Sequence, residues 1–124
     1  MRSPADHRPS TLLVDGRAAG PIEVARTHHE RSRGLLGRDG LEGALLLPRT
    51  RSVHTVAMRF PIDVALCTAD LEVVAVRTLV PGRFVLPRRG VRAVIEAEAG
   101  AFARWGITPG SRLAVSECST PPTC

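Results

Sequence analysis

The sequence contains no lysine and no tyrosine, and its aromatic side chains are limited to three phenylalanines and one tryptophan. All 17 basic residues are therefore arginines, and the formal net charge is +5. A surface that binds nucleic acid usually combines clustered positive charge with aromatic rings on which bases stack. Here only Arg88 and Arg89 are adjacent, so the composition argues against nucleic-acid binding. Weak anion or RNA binding through the arginines stays open as an alternative function.

Cysteine is scarce as well: there are three, and no two of them form a C-x-x-C pair. A disulfide framework or a zinc knuckle needs closer, paired spacing. Cys67 lies in an apolar run and is expected to be a small buried hydrophobic residue. Cys118 and Cys124 flank the segment CSTPPTC, and their redox state is not determined by the sequence. We expect neither a metal site nor a cofactor.

Long apolar runs are also absent, so no segment is expected to span a membrane. The first ten residues lack the apolar core of a secretory signal, and the expected location is the cytoplasm. A chain of 124 residues is long enough to bury a core of its own. We expect a single β-rich domain over residues 10–116, a flexible arm at 1–9 and a disordered tail at 117–124.

What the sequence does contain is a series of short alternating apolar segments separated by turn signals. These predict strands at 11–14, 21–25, 43–47, 52–57, 62–68, 71–79, 92–98 and 113–115, with DGRAAGP as the loop of the first hairpin. A capping box between Thr27 and Glu30 predicts a helix over about 28–36, and a second short helix is expected over Ala99–Trp105. The pattern indicates a mainly β (α+β) fold, a small antiparallel β-barrel or jelly-roll-like sandwich with one or two short helices.

Three ionisable side chains, His54, Arg59 and Asp63, interrupt the apolar stretch 52–66. A carboxylate that opens an apolar strand is costly to bury unless it is paired or hydrogen-bonded. Asp63 is therefore expected to accept backbone N–H groups or to pair with Arg59 or Arg38; the alternative is a carboxylate that orients a ligand. His54 is either a hydrogen-bonded strand residue or a general base or metal ligand.

Glu96 interrupts the apolar run of a late strand. Alternation places it on one face with Val94 and Glu98, and Ile95 on the other face. If that first face lines a cleft, Asp63 and Glu96 become a carboxylate pair suited to acid–base chemistry. If the face is solvated, Glu96 has no special role. The sequence holds no H-E-x-x-H, P-loop, nucleophile-elbow or dinucleotide motif.

Four segments together resemble one known family. They are ERSRGLLGR (30–38), HTVAMRFPIDV (54–64), VIEAEAG (94–100) and GITPGSRL (106–113). Their order and spacing resemble the bacterial and archaeal family called domain of unknown function 192, over about residues 22–115. The resemblance implies a small, mainly antiparallel β domain, and it implies no established activity because the family is uncharacterised.

Because no complete catalytic set is visible, the sequence favours a non-catalytic binding module over an enzyme. The expected occupant is a small ligand or a protein partner. The candidate patch comprises Arg38, His54, Arg59, Asp63 and Glu96. The alternatives are a hydrolase that uses the Asp63 and Glu96 carboxylates, and the arginine-based anion or RNA binding described above.

Overall fold

The computed structural model describes residues 10–117 and contains nine strands and two short helices over that range. In chain order they are β1 (Ser10–Val14), β2 (Arg17–Val24), α1 (His28–Arg33), β3 (Ala44–Pro48), β4 (Val53–His54), β5 (Ile62–Cys67), β6 (Val73–Leu79), β7 (Phe84–Val85), β8 (Ala93–Glu98), α2 (Ala101–Trp105) and β9 (Leu113–Glu117). The expected arm at 1–9, and Cys118 and Cys124 of the expected tail, lie outside the described residues. Glu117, assigned to that tail from sequence, is the last residue of β9.

Seven of the strands form one sheet in the order β6-β5-β8-β3-β2-β1-β9, and β4 and β7 form a separate ribbon. The β2–β3 pair is parallel, and the other pairs are antiparallel. The edge strands meet at one corner, where Glu72 and Arg112 form an isolated bridge. The predicted mainly β (α+β) fold with one or two short helices is confirmed, and the described residues contain two helices. Over residues 10–117 the sheet is mixed and does not close into a barrel.

The first hairpin turns more tightly than its sequence indicates. Val14 pairs with Arg17, so only Asp15 and Gly16 form the loop. Their φ angles of +50° and +85° correspond to a type I′ turn, which matches the twist of the flanking strands. The prediction of the longer loop DGRAAGP is wrong, because the residues after Gly16 continue the ladder as β2.

Helix α1 begins, and helix α2 ends, where the sequence predicts. Thr27 Oγ1 accepts from the Glu30 N–H at 3.0 Å and Glu30 Oε1 accepts from the Thr27 N–H at 3.0 Å, which confirms the capping box. Gly106 closes α2 in the left-handed conformation. Helix α1 stops earlier than predicted, because Gly34 already leaves helical geometry. Neither helix within residues 10–117 has the length and apolarity needed to cross a membrane.

The central strands β3, β5 and β8 are buried on both sides, because each face of the sheet carries its own apolar cluster. On the face of the sheet that α2 covers, called the α2 face, Ile95 and Cys67 pack against Phe102. On the opposite face, called the α1 face, the alternate side chains of the same strands pack against Leu35, which follows α1, and Met58, which follows β4. Cys67 is fully buried as predicted, and burial raises the pKa of its thiol to about 12.

Candidate functional site

Asp63 lies in β5 on the α2 face and is 3% exposed. Its Oδ2 accepts from the backbone N–H groups of Gly100 at 2.9 Å and Phe102 at 3.1 Å. Its Oδ1 accepts from the hydroxyl of Thr78 in β6 at 2.7 Å. Acceptance of backbone N–H groups was one of the two structural arrangements predicted for this carboxylate. Asp63 thus ties β5 to β6 and to the start of α2.

Arg59 and Arg38 pair elsewhere. Arg59 Nη1 lies 2.8 Å from Asp39 Oδ1. Arg38 holds Glu23 through two hydrogen bonds of 3.0 and 3.2 Å, and this pairing raises the pKa of Arg38. The predicted pairing of Asp63 with either arginine is therefore wrong. Ion pairs this close to solvent contribute little to stability.

Glu96 is a different kind of buried carboxyl. It lies in β8 opposite Leu45 of β3 and Val64 of β5, and it is 4% exposed. Within the described part of the chain, no hydrogen-bond donor reaches its Oε1. Burial raises the pKa of Glu96 to about 7, and the positive charge of Arg38 opposes that rise. A buried polar atom without a partner is costly, which makes this position a candidate for function.

Glu96 lines a cleft of about 410 Å³ between α1, the segment after β3, and β4. The apolar part of the lining includes Leu35, Leu47 and Met58. The positively charged and imidazole groups of the lining are His28, Arg31, Arg33, Arg49, Arg51 and His54. Over residues 10–117, none of these four arginines forms an ion pair with a carboxylate. The cleft therefore presents a strongly positive set of donors around a partly apolar interior.

Gly34 allows the chain after α1 to close over Glu96. Its φ of +52° and ψ of −127° favour glycine. A Cβ at this position would lie 3.2 Å from Glu96 Oε1. The sequence predicts a helix that continues through Gly34 to residue 36, whereas in the structure Gly34 ends the helix and makes the close approach.

Substitution of Gly34 by alanine is expected to destabilise the domain by about 1–3 kcal/mol, from backbone strain at its positive φ and from crowding of Glu96. Gly82→Ala is the matched control, because Gly82 has a φ of +89° and a Cβ added there would have nothing within 4 Å. Urea unfolding of both variants measures the difference. Equal losses would show that the contact with Glu96 carries no penalty.

The structure brings together only part of the predicted patch. His54 and Glu96 both line the cleft, and the His54 ring also lies 6.1 Å from the Phe84 ring. Arg38 acts on Glu96 only through its charge. Arg59 and Asp63 are not part of the lining. Within residues 10–117, no three His, Cys, Asp or Glu side chains are placed to hold a metal ion.

The carboxylate pair predicted for a hydrolase is wrong. Asp63 is directly opposite Ala97 and Glu96 is directly opposite Val64 in the β5–β8 ladder. Directly opposed residues share a face, and successive residues alternate. Asp63 therefore lies on the α2 face and Glu96 on the α1 face, so the sheet itself separates the two carboxyl groups.

Most of the positive lining was not predicted from the sequence. Arg31 and Arg33 belong to the segment 30–38 that carries the family resemblance, and this membership could have identified them as candidate site residues. Arg49 and Arg51 follow β3 in a stretch without a motif, and they reach the cleft only through the packing of β3 against the rest of the sheet.

Comparison with known sequences identifies similar chains without an assigned activity. The sequence model of the domain of unknown function 192 family, described as uncharacterized ACR, matches residues 11–115. A UPF0127 protein of Pyrococcus furiosus is 36% identical over 62 residues, which cover 50% of this chain and 53% of that protein. A UPF0127 protein of Thermococcus sibiricus is 34% identical over 89 residues, covering 67% and 58% respectively. The chain thus spans little more than half the length of these relatives.

Two solved structures are similar over most of the chain. A protein of unknown function from Novosphingobium aromaticivorans has a TM-score of 0.69 and 27% identity, covering 86% of this chain and 83% of its own. A Sinorhizobium meliloti protein, provisionally described as a transcription regulator, has a TM-score of 0.73 and 25% identity, covering 87% and 92%.

Proposed function

The chain belongs to the domain of unknown function 192 family, and from that premise we propose that its cleft beneath α1 binds a small organic anion. One observation carries the proposal: Arg31, Arg33, Arg49 and Arg51 surround a single concavity without carboxylate partners among the described residues. The planar guanidinium group matches carboxylate and phosphate oxygens in a two-bond fork. The domain acts as a binding module rather than as a catalyst.

The form of the cleft favours a small molecule over a protein partner. Ligand sites are typically concave and several hundred cubic ångströms in volume, and they combine apolar surface with polar groups that fix the orientation of the ligand. Leu35, Leu47 and Met58 supply apolar surface, and the arginines supply the polar groups. Three of the four segments that resemble the family, 30–38, 54–64 and 94–100, contribute to the lining.

Nucleic acid is a weaker candidate, although the Sinorhizobium meliloti neighbour is provisionally described as a transcription regulator. Single-stranded nucleic acid is generally held by aromatic rings that stack on the bases. Among the described residues that line the cleft there is no Phe or Trp. We therefore propose that recognition centres on the anionic group of the ligand rather than on a nucleobase.

The proposal predicts that propyl phosphate or butanoate binds in the cleft, and that Arg49→Gln/Arg51→Gln weakens this binding at least about tenfold. Loss of two charge-assisted hydrogen bonds is the physical reason. Titration of ¹⁵N-labelled protein, followed by the amide signals of Gly34 and Thr50, measures the affinity. The matched control is Arg88→Gln/Arg89→Gln, which removes the same charge from exposed positions outside the lining.

The control double variant is expected to bind within about twofold of the wild type, because distant exposed charges are screened by salt. Two results would overturn the proposal. One is that neither probe changes the chemical shifts of the amide signals that report on the cleft. The other is an equal loss of affinity in both double variants, which would indicate a diffuse effect of net charge.

A further inference from the structure

We propose that the ligand of this cleft carries a hydrogen-bond donor, a hydroxyl or an ammonium group, in addition to its anionic group, and that the Glu96 carboxyl accepts from that donor. The inference rests on the proposed function and extends it to a ligand class. Hydroxy acids, amino acids and phosphate esters of amino or hydroxy alcohols belong to that class.

Two other carboxylates of β5 and β8, the buried Asp63 and the exposed Glu98, have donors. Asp63 accepts three hydrogen bonds, from Gly100, Phe102 and Thr78. Glu98, the next residue on the same face as Glu96, accepts from the Leu41 N–H at 3.0 Å. Glu96 is more deeply buried than Glu98, yet no described donor reaches its Oε1. The lack of a hydrogen-bond donor is therefore specific to Glu96 and is not shared by the other carboxylates of the sheet compared with it.

Apart from the positive charge of Arg38, the surroundings of Glu96 give no structural reason for a carboxyl group, because no described donor reaches its Oε1. Leu45 and Val64 flank it on the adjoining strands, and Gly34 covers it. An apolar side chain of similar size at such a position is generally at least as stable as an unpaired acid. Residues that reduce stability in this way are typical of binding sites, where they are retained for function.

The two kinds of polar group lie at different depths in the cleft. Arg33, Arg49 and Arg51 are exposed, whereas Glu96 is buried. A ligand that satisfies both therefore places its anionic group near the mouth and its donor towards the floor. Burial raises the pKa of Glu96 to about 7, so that both protonation states occur near neutral pH. A hydroxyl group pairs with either state, and an ammonium group pairs with the carboxylate.

The test compares alkyl phosphates of two to five carbons whose far end is a methyl, a hydroxyl or an amine. We expect a hydroxyl- or amine-terminated probe to bind wild-type protein about tenfold more tightly than the methyl-terminated probe of the same length, because it supplies the missing donor. Titration of the labelled protein, as for propyl phosphate, provides the dissociation constants.

Two variants test whether Glu96 causes the tighter binding of hydroxyl- and amine-terminated probes. Glu96→Met keeps the length of the side chain without the carboxyl group, and we expect hydroxyl-, amine- and methyl-terminated probes of the same length to bind this variant with similar affinity. Glu96→Gln retains an oxygen acceptor but carries no negative charge, so it is expected to keep the preference for the hydroxyl and to reduce that for the amine, which gains most from a carboxylate. Thermal unfolding of both variants verifies that each is folded.

The outcomes separate the two proposals. If methyl-terminated probes bind as tightly as the others at every length, or if Glu96→Met retains the preference, the assignment of a donor to Glu96 is overturned while anion binding by the arginines stands. If no probe binds in the cleft, the proposed function itself is overturned, and this inference with it.

Discussion

Replacement of Asp63 by alanine is expected to lower the free energy of unfolding by about 3–4 kcal/mol, a large fraction of the stability of a small domain. The change removes three hydrogen bonds and leaves the N–H groups of Gly100 and Phe102 without their acceptor. Buried donors without partners cost more than the hydrogen bond itself contributes. Urea unfolding at neutral pH measures the loss directly.

Two milder variants separate hydrogen bonding from charge at this position. Asp63→Asn can still accept both N–H groups through its oxygen and donate to Thr78 through its amide, so a loss of about 1–2 kcal/mol is expected. Thr78→Val removes only the hydroxyl that donates to Oδ1, with a similar loss. If Asp63→Ala cost less than about 1 kcal/mol, the carboxylate would not be the tie between β5, β6 and α2 that its contacts indicate.

Whereas Asp63 stabilises the fold, ionised Glu96 is expected to lower the free energy of unfolding by a similar amount, and this effect depends on pH. Its pKa is about 7 in the folded protein, against an ordinary value of 4.5. Between these values the folded protein retains a proton that the unfolded chain has lost. The free energy of unfolding therefore falls as pH rises from about 4.5 to about 7, by on the order of 3 kcal/mol, and the decrease stops above the folded pKa.

Glu96→Gln removes this contribution because the amide does not titrate. At about pH 8 the variant is expected to be more stable than the wild type, and the advantage is expected to shrink as pH falls towards the ordinary pKa of 4.5. Other titrating groups act equally in both proteins, so the difference between their urea unfolding curves at several pH values isolates Glu96. A difference that stayed constant with pH would mean that Glu96 titrates normally and is not desolvated.

Much of the local structure was predictable because it depends on neighbours in the chain. The Thr27–Glu30 capping box, the antiparallel pair at 62–68 and 71–79, and the turn at Gly106 are set by residues a few positions apart. Alternation within β8 also placed Glu96 and Glu98 together on one face.

The candidate site was less predictable because it depends on contacts between distant segments. Nothing in either strand indicates that Asp63 faces Ala97 rather than Glu96, since that register is set by packing across the sheet. Similarly, Arg49 approaches the segment after α1 only because β3 lies beside β8. The residues of the patch were individually plausible, but the topology decided which of them share a surface.

That topology has a consequence for the origin of the cleft. Parallel neighbours cannot be joined by a tight turn, so the connection from β2 to β3 must leave the sheet and cross one of its faces. This crossover, residues 25–43, contains α1 and Gly34, which form the roof above Glu96. Had β2 and β3 been joined as a simple hairpin, Glu96 would lack the cover that Gly34 provides. One strand running with its neighbour rather than against it thus supplies the roof of the cleft.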